Sequence, residues 1–319
     1  MTTNVLVTGS AGFIGYHFSK KLCSMNDFHV FGIDNFARYE PDILYKELMT
    51  DTNFTHLDID LLNSKALDGL PAFDYVFHFA AINGTANFYN KPLEVIKSGI
   101  VPTLNLLDFF SSRPPKKIIY AGTSESYAGA VEKFNFKVPT PENVPLVIAD
   151  VKNPRWSYAA SKSLSEVAVA TSASALNYQF NIVRFHNVYG PRMGFSHVIP
   201  EITARAQNGD FKIFGAKNSR SFIYIDDAVD ALLRLLFDTK LINEIVNIGT
   251  EDTITITELA RTIYKIMGVG GNIEELESPE GSVLQRCPDT TKLKSIGFIP
   301  KVSLEIGLSL TLPYYLKTI

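Results

Sequence analysis

Cysteine is scarce in this sequence: its 319 residues hold only Cys23 and Cys287, in unrelated contexts and without metal-ligand spacing. That excludes a disulfide framework and a zinc site, so no metal is expected, and a reducing cytoplasm fits. An excess of charge of either sign is also missing. A net charge of −3 and a pI near 6.1 give no pull toward nucleic acid or anionic lipid, and no basic cluster is longer than Lys116-Lys117. A local arginine site for a small anionic ligand stays open. No apolar run approaches the roughly 18 residues of a spanning helix. Met1-Thr-Thr-Asn4 leads straight into an apolar strand, without the basic and apolar regions of a signal peptide. The expectation is a soluble, cytoplasmic protein that binds neither nucleic acid nor membrane. Internal repeats and low-complexity segments are absent from the sequence as well.

What is present is ordinary globular composition, 46% hydrophobic and 20% charged with a mean hydropathy of +0.07. The length suits one large domain or two smaller ones with a sizeable core. In the first half, short apolar runs alternate with longer amphipathic ones, the pattern of βαβ units around a parallel sheet. Strands are predicted at Asn4 to Thr8, His29 to Asp34, Phe54 to Asp58, Tyr75 to Ala80, Lys117 to Gly122 and Asn181 to Phe185. Most are continuously apolar, as strands covered on both faces should be. Helices are predicted at Gly12 to Met25, Ser64 to Leu70, Pro92 to Ser111 and Tyr158 to Leu176. Beyond Gly190 the pattern is less regular. Short strands fall near Lys212 to Phe214, Ser221 to Ile225 and Ile245 to Ile248, with helices at Asp226 to Asp238, Thr257 to Met267 and Leu304 to Lys317. The reading is an α/β chain: a Rossmann-type doubly wound parallel sheet with a smaller C-terminal substrate-binding lobe. Residues 1–189 plus about 222–239 form the first domain, and 190–221 plus about 240–319 the second.

Tyr158 and Lys162 stand four residues apart, on one face if their segment is helical. An ammonium beside a phenol favours phenolate and lowers its pKa, which alcohol oxidation near neutral pH requires. Alone, the pair is better read as part of a solvated helix face. Gly9, Gly12 and Gly15 follow the first strand and open the first helix, where glycines permit a tight turn and a close approach to a pyrophosphate. Asp34 closes the second strand, and a carboxylate there suits the ribose 2′-OH of NAD while repelling the 2′-phosphate of NADP. Arg38 lies nearby and softens that preference. Asp58-Ile59 closes the third strand.

These residues resemble the extended short-chain dehydrogenase/reductase family, in its NAD-dependent epimerase/dehydratase branch acting on nucleotide sugars. The likeness runs nearly end to end, through Gly9-x-x-Gly12-x-x-Gly15, His78-Phe79-Ala80-Ala81, Thr123-Ser124-Glu125 and Tyr158-x-x-x-Lys162. Further along come Phe185-His-Asn187-Val-Tyr189-Gly190-Pro191-Arg192, Arg220-Ser-Phe222-Ile-Tyr224-Ile-Asp226-Asp227 and Arg286-Cys-Pro288-Asp289. The resemblance implies that Gly9, Gly12, Phe13, Ile14, Gly15, Asp34, Asn35, Asp58, Ile59, Phe79, Ala80 and Ala81 hold NAD, together with Tyr158 and Lys162. It implies that Tyr158 takes the proton from a sugar hydroxyl, usually at C4, that Lys162 holds the nicotinamide ribose, and that Thr123 bonds the reacting oxygen. Read without it, Thr123 and Ser124 serve equally as turn formers. It places Asn187, His197, Val198, Arg220, Arg286 and Asp289 along a nucleoside diphosphate, where two arginines suit bidentate phosphate binding. A homodimer through a four-helix bundle of Pro92 to Ser111 and Tyr158 to Leu176 is also implied.

Glu125 divides the branch. Relatives that only invert C4 usually carry a small or hydroxyl residue there, whereas many 4,6-dehydratases and the UDP-glucuronate decarboxylases carry glutamate. The expected activity is therefore that of a lyase, a 4,6-dehydratase or decarboxylase that begins with C4 oxidation and returns the hydride internally. Catalytic roles fall to Thr123, Ser124, Glu125, Tyr158 and Lys162. The alternatives are a 4-epimerase, a 4-dehydrogenase or a non-catalytic dinucleotide sensor. Gly99, Ala128 and His186 depart from the family pattern.

Overall fold

The computed structural model describes residues 2–38, 40–278 and 284–318. The chain divides into two compact units: residues 1–126, 148–184 and 232–246, and residues 127–147, 185–231 and 247–319. The second takes 127–147, a segment placed in the first domain on sequence grounds. Its long-range hydrogen bonds explain the difference. The Tyr127 hydroxyl donates to Asn247 Oδ1 at 2.8 Å, the Asn247 N–H donates to Glu142 Oε1 at 2.9 Å, and the Thr140 N–H donates to Cys287 O at 2.9 Å.

The first unit is built on β1 (Thr3–Thr8), β2 (Phe28–Ile33), β3 (Phe54–Leu57), β4 (Tyr75–His78), β5 (Lys117–Thr123) and β6 (Gln179–Phe185), with a last strand at Glu244–Ile248. These seven form one parallel sheet in the order β3-β2-β1-β4-β5-β6 and then Glu244–Ile248. The order reverses between β1 and β4, the switch point where loops at the strand ends part and leave a crevice.

The helices follow in chain order as α1 (Phe13–Cys23), α2 (Ile43–Leu48), α3 (Thr85–Asn90), α4 (Pro92–Phe110), α5 (Ala128–Phe134, in the second unit) and α6 (Trp156–Leu176). Successive residues of β4 sort the main ones onto opposite faces of the sheet. Val76 joins a core with Leu106, Leu107 and Phe110 of α4 and Val169 and Ala173 of α6, while Phe77 packs its ring 4.2 Å from that of Phe18 on α1. The predicted helix at Ser64 to Leu70 is a single 3-10 turn at Ser64–Leu67, cut short where Gly69 adopts a φ of 84° ahead of Pro71.

In the second unit α7 (Val198–Gln207), α8 (Ile225–Phe237, which runs on into the first unit), α9 (Ile256–Met267), α10 (Thr291–Ser295) and α11 (Leu304–Thr318) accompany short strands. One small sheet joins Thr253–Thr255, Ser219–Ser221 and Gln285–Arg286. Among the described residues no helix is long and apolar enough to cross a membrane.

Candidate active site

The glycine loop lies where the sheet order reverses. Gly9 has a φ of 69°, and a Cβ there would fall 2.8 Å from the Ala80 backbone nitrogen, so the loop closes against the Phe79-Ala80 turn after β4. At Gly15 a Cβ would meet Gly9 O at 2.1 Å. Glycine at both positions keeps a backbone cradle at the head of α1, whose first turn carries no acidic side chain. Asp34, at the end of β2, accepts from Ala11 N through Oδ2 and from Phe36 N through Oδ1, both at 3.0 Å. Its carboxylate is thereby fixed beside the cradle. Burial raises its pKa, and the two backbone N–H bonds, His56 and Arg38 oppose that. Asp58 and Ile59 follow β3 directly. An anionic pyrophosphate on the cradle with its ribose on Asp34 fits this arrangement.

Behind the loop, the Thr8 hydroxyl and His78 Nδ1 are 2.6 Å apart, and His78 Nε2 is 3.0 Å from the Thr103 hydroxyl. Burial, with the charge of Lys162 adding to it, holds His78 neutral with a pKa of about 3.

Next to it, α6 and its capping residue Arg155 present Arg155, Tyr158, Lys162 and Glu166 at spacings of three and four, along one side. Each meets a partner on β5, in the turn after it, or on β6. Arg155 Nη2 lies 3.8 Å from Glu125 Oε2, and the Thr123 side chain acts on the Tyr158 phenol in the direction of its ionised form. Lys162 Nζ donates to Ala121 O at 2.8 Å, and Glu166 takes two bonds from Arg184, at 3.1 and 2.6 Å. Thr123, Glu125, Tyr158 and Lys162 are thus brought together. Ser124 is buried in the 3-10 turn Ser124–Tyr127. The Phe88 ring stacks on Tyr158 at 4.9 Å and 12°.

The structure corrects one sequence expectation, that Lys162 pulls the Tyr158 pKa down. Burial pushes the phenol well above its ordinary value and the Glu125 carboxylate adds to that, while Thr123 and Arg38 work the other way. Lys162 is committed to Ala121 O and lies 4.7 Å over the Tyr120 ring. Burial lowers its own pKa to about 8 against the opposing charge of Glu166.

Arg155 escaped the sequence reading. Its signal was a cation three residues before Tyr158, and its partner Glu125 lies thirty residues earlier. Of the family departures, Gly99 has a packing reason. A Cβ there would sit 2.4 Å from Ser161 Oγ, and Gly99 O accepts from Ser165 Oγ at 2.8 Å where α4 meets α6.

The expected nucleotide residues belong to the second unit. Arg220 and Arg286 are register partners on adjacent parallel strands, a doubled positive charge suited to a diphosphate. Asn187 donates to Ser221 O at 2.8 Å, His197 precedes α7, and Val198 opens it. Asp289 is turned toward Thr291 N, 2.9 Å away at the head of α10. Val198, Glu201, Ile202, Arg205, Ile213, Phe214 and Ile256 line a cleft of about 290 Å³ in this unit.

The NAD-dependent epimerase/dehydratase family model matches residues 5–249. A UDP-N-acetyl-alpha-D-glucosaminuronate decarboxylase of Bacillus cytotoxicus is 34% identical, over 99% of this chain and 98% of its own. Among solved structures, a UDP-glucose 4-epimerase of Thermotoga maritima with UDP-glucose superposes with a TM-score of 0.86 at 31% identity, covering 99% of both chains. A UDP-glucuronic acid 4-epimerase of Bacillus cereus, in complex with UDP-glucuronic acid and NAD, gives 0.87 at 26% identity over 99% of this chain and 100% of the other. With the glycine cradle, Asp34 and the α6 face in place, the chain belongs to the NAD-dependent epimerase/dehydratase family, and its cofactor is NAD.

Proposed function

We propose that this protein is an NAD-dependent decarboxylase of a UDP-linked uronic acid, working through oxidation at C4 with internal return of the hydride. The observation that carries this reading is Glu125, held beside Thr123 and Tyr158 and paired with Arg155. The name of the 34% identical relative supports decarboxylation, and the bound sugar of the glucuronic acid epimerase supports a uronic acid.

When bound, NAD supplies the hydride acceptor for C4 and the positive charge of its oxidised ring. Tyr158 is a neutral phenol in the chain alone, and positive charge placed beside it favours the phenolate that takes the O4 proton. Thr123 holds the same oxygen, which fixes the ring against the base. With C4 a ketone, the C6 carboxylate is β to a carbonyl. The C5–C6 pair flows into the C4–C5 enolate as carbon dioxide leaves, and Tyr158, now protonated, bonds the enolate oxygen. A proton from solvent then enters at C5, and Tyr158 would return its proton to O4 as the ketone is reduced by the hydride that the bound cofactor would supply. Lys162, anchored on Ala121 O, supports the cofactor ribose. Arg220 and Arg286 hold the diphosphate, and Asn187, His197, Val198 and Asp289 complete the nucleotide site. The protein acts in the cytoplasm and as a homodimer, the dimer being supported by exposed Leu93 and Leu104 on α4 and Leu164 and Val167 on α6.

The test is mass analysis of UDP-glucuronate and UDP-N-acetylglucosaminuronate after incubation with the NAD-loaded protein. Loss of carbon dioxide from either is the expected result. An unchanged mass with a new C4 epimer would establish the second reading, epimerisation, which the likeness to two epimerase structures favours. Loss of water from UDP-glucose, incubated in parallel because it keeps the C6 hydroxyl that a 4,6-dehydration expels, would establish a dehydratase instead.

A further inference from the structure

We propose that Arg155 receives the C6 carboxylate of the sugar and is the residue that selects uronic acids over neutral hexoses. The inference rests on the decarboxylase reading and assigns its substrate specificity to one side chain. Arg155 is the residue that caps α6, three positions before Tyr158, and Glu125 stands two residues beyond Thr123 in the turn after β5. A sugar whose O4 lies between Thr123 and Tyr158 therefore extends C5 and C6 along this row, toward Glu125 and Arg155, or away from it. In the direction of Glu125 a sugar carboxylate meets a like charge, and Arg155, 3.8 Å from Glu125 Oε2, offsets it.

The guanidinium is built in rather than trailing in solvent. Its side chain is 11% exposed, it lies 5.0 Å over the Trp156 ring, and the Arg155 N–H is held by Asn153 Oδ1 at 3.0 Å. Its planar fork of five N–H groups is large enough to serve two carboxylates, while a neutral hydroxymethyl group gains little from it. The other buried cations of this unit have their own ties. Lys162 is anchored on Ala121 O, Lys117 on Leu235 O and Arg184 on Glu166.

The experiment is calorimetric binding of UDP-glucuronate, UDP-glucose and UDP to NAD-loaded protein, in a Tyr158→Phe background that blocks turnover, with Arg155 intact or changed to Met or Lys. Arg155→Met should weaken UDP-glucuronate by about 10- to 100-fold, the loss of a charge-assisted contact, and leave UDP-glucose and UDP within about twofold. Arg155→Lys should recover part of the loss, and unaltered UDP binding shows that the variants fold. Equal weakening of all three ligands, or an unchanged UDP-glucuronate affinity, overturns the assignment. So does a protein with Arg155 intact that binds UDP-glucuronate no better than UDP-glucose. The two readings fail separately. Arg155-dependent uronate binding without carbon dioxide release by the wild type removes the decarboxylase and keeps the carboxylate site, whereas release that Arg155→Met leaves intact does the reverse.

Discussion

Replacing Lys162 by methionine should remove a pH-dependent part of the stability of the first unit. The Lys162 ammonium is 2% exposed, and burial lowers its pKa from 10.5 to about 8, with Glu166 opposing. Below pH 8 the folded and unfolded chains both carry the proton, and the folded chain bears the whole cost of the buried charge. That cost is about 3 kcal/mol at 1.36 kcal/mol per pKa unit. Between about pH 8 and 10.5 the folded chain releases its proton first, so the unfolded state binds more protons and stability rises with pH. Lys162→Met has no such term. Its lost bond to Ala121 O is a pH-independent offset of about 1 kcal/mol. The stability of wild type minus that of the variant should therefore climb by about 2 kcal/mol from pH 7 to 9.5. Subtraction cancels the titration of Lys117, which burial also lowers to about 8. Urea unfolding followed by the single tryptophan, Trp156 at the start of the same helix, reads the difference. A difference that stays flat across this range, or falls, refutes the placement of a desolvated ammonium beneath the site.

Gly15→Ala sets a Cβ 2.1 Å from Gly9 O, so the loop must open; retained NAD, measured by mass after purification, should disappear. Stability should drop by about 1–3 kcal/mol, the range for overpacking. Glu166→Ala leaves Arg184, 2% exposed, without the carboxylate that takes two of its bonds, and should destabilise the unit by about 3–5 kcal/mol in urea unfolding. Tyr158→Phe keeps the ring stacked on Phe88 and removes the hydroxyl proposed as the proton acceptor. Turnover should fall by about 10²- to 10⁴-fold with NAD retention unchanged, and full activity in this variant would exclude Tyr158 as the base.

The parts of the site legible in the sequence are those whose cause is local. Gly9 and Gly15 are glycine because of contacts that any side chain would violate, and Asp34 ends a strand whose partners are fixed by an apolar run. Tyr158 and Lys162 share a face because a helix makes them do so. What one helical face cannot tell is which neighbour each side chain will take. Lys162 met a backbone carbonyl on β5 instead of the phenol one turn away, and burial, with the Glu125 carboxylate adding to it, turned the Tyr158 pKa upward. Arg155 stayed hidden for the same reason, since its contact with Glu125 needs the packing of α6 along the end of β5. The assignment of 127–147 depends on bonds to Asn247 and Cys287, more than a hundred residues away, which no local pattern reports.

The α6 face gives these separate contacts a common logic. From Arg155 to Glu166 it carries a cation, a phenol, a cation and a carboxylate, and the two outer charges are each answered by a side chain of opposite sign. The inner two are not ion-paired with each other. Burial drives both toward their uncharged forms, Tyr158 upward and Lys162 down to about 8, so the resting site has little phenolate to remove a sugar proton. A base of this kind answers to the charges brought beside it, because in a desolvated pocket each added charge acts through a low dielectric. Glu125 resists the phenolate and Arg38 favours it, and a ligand cation next to Tyr158 acts in the direction of Arg38. On the proposed reading, with Tyr158 as the base and the hydride returned to the same sugar, proton removal is in this way tied to the presence of the hydride acceptor, and a base active without the acceptor would open the site to side reactions.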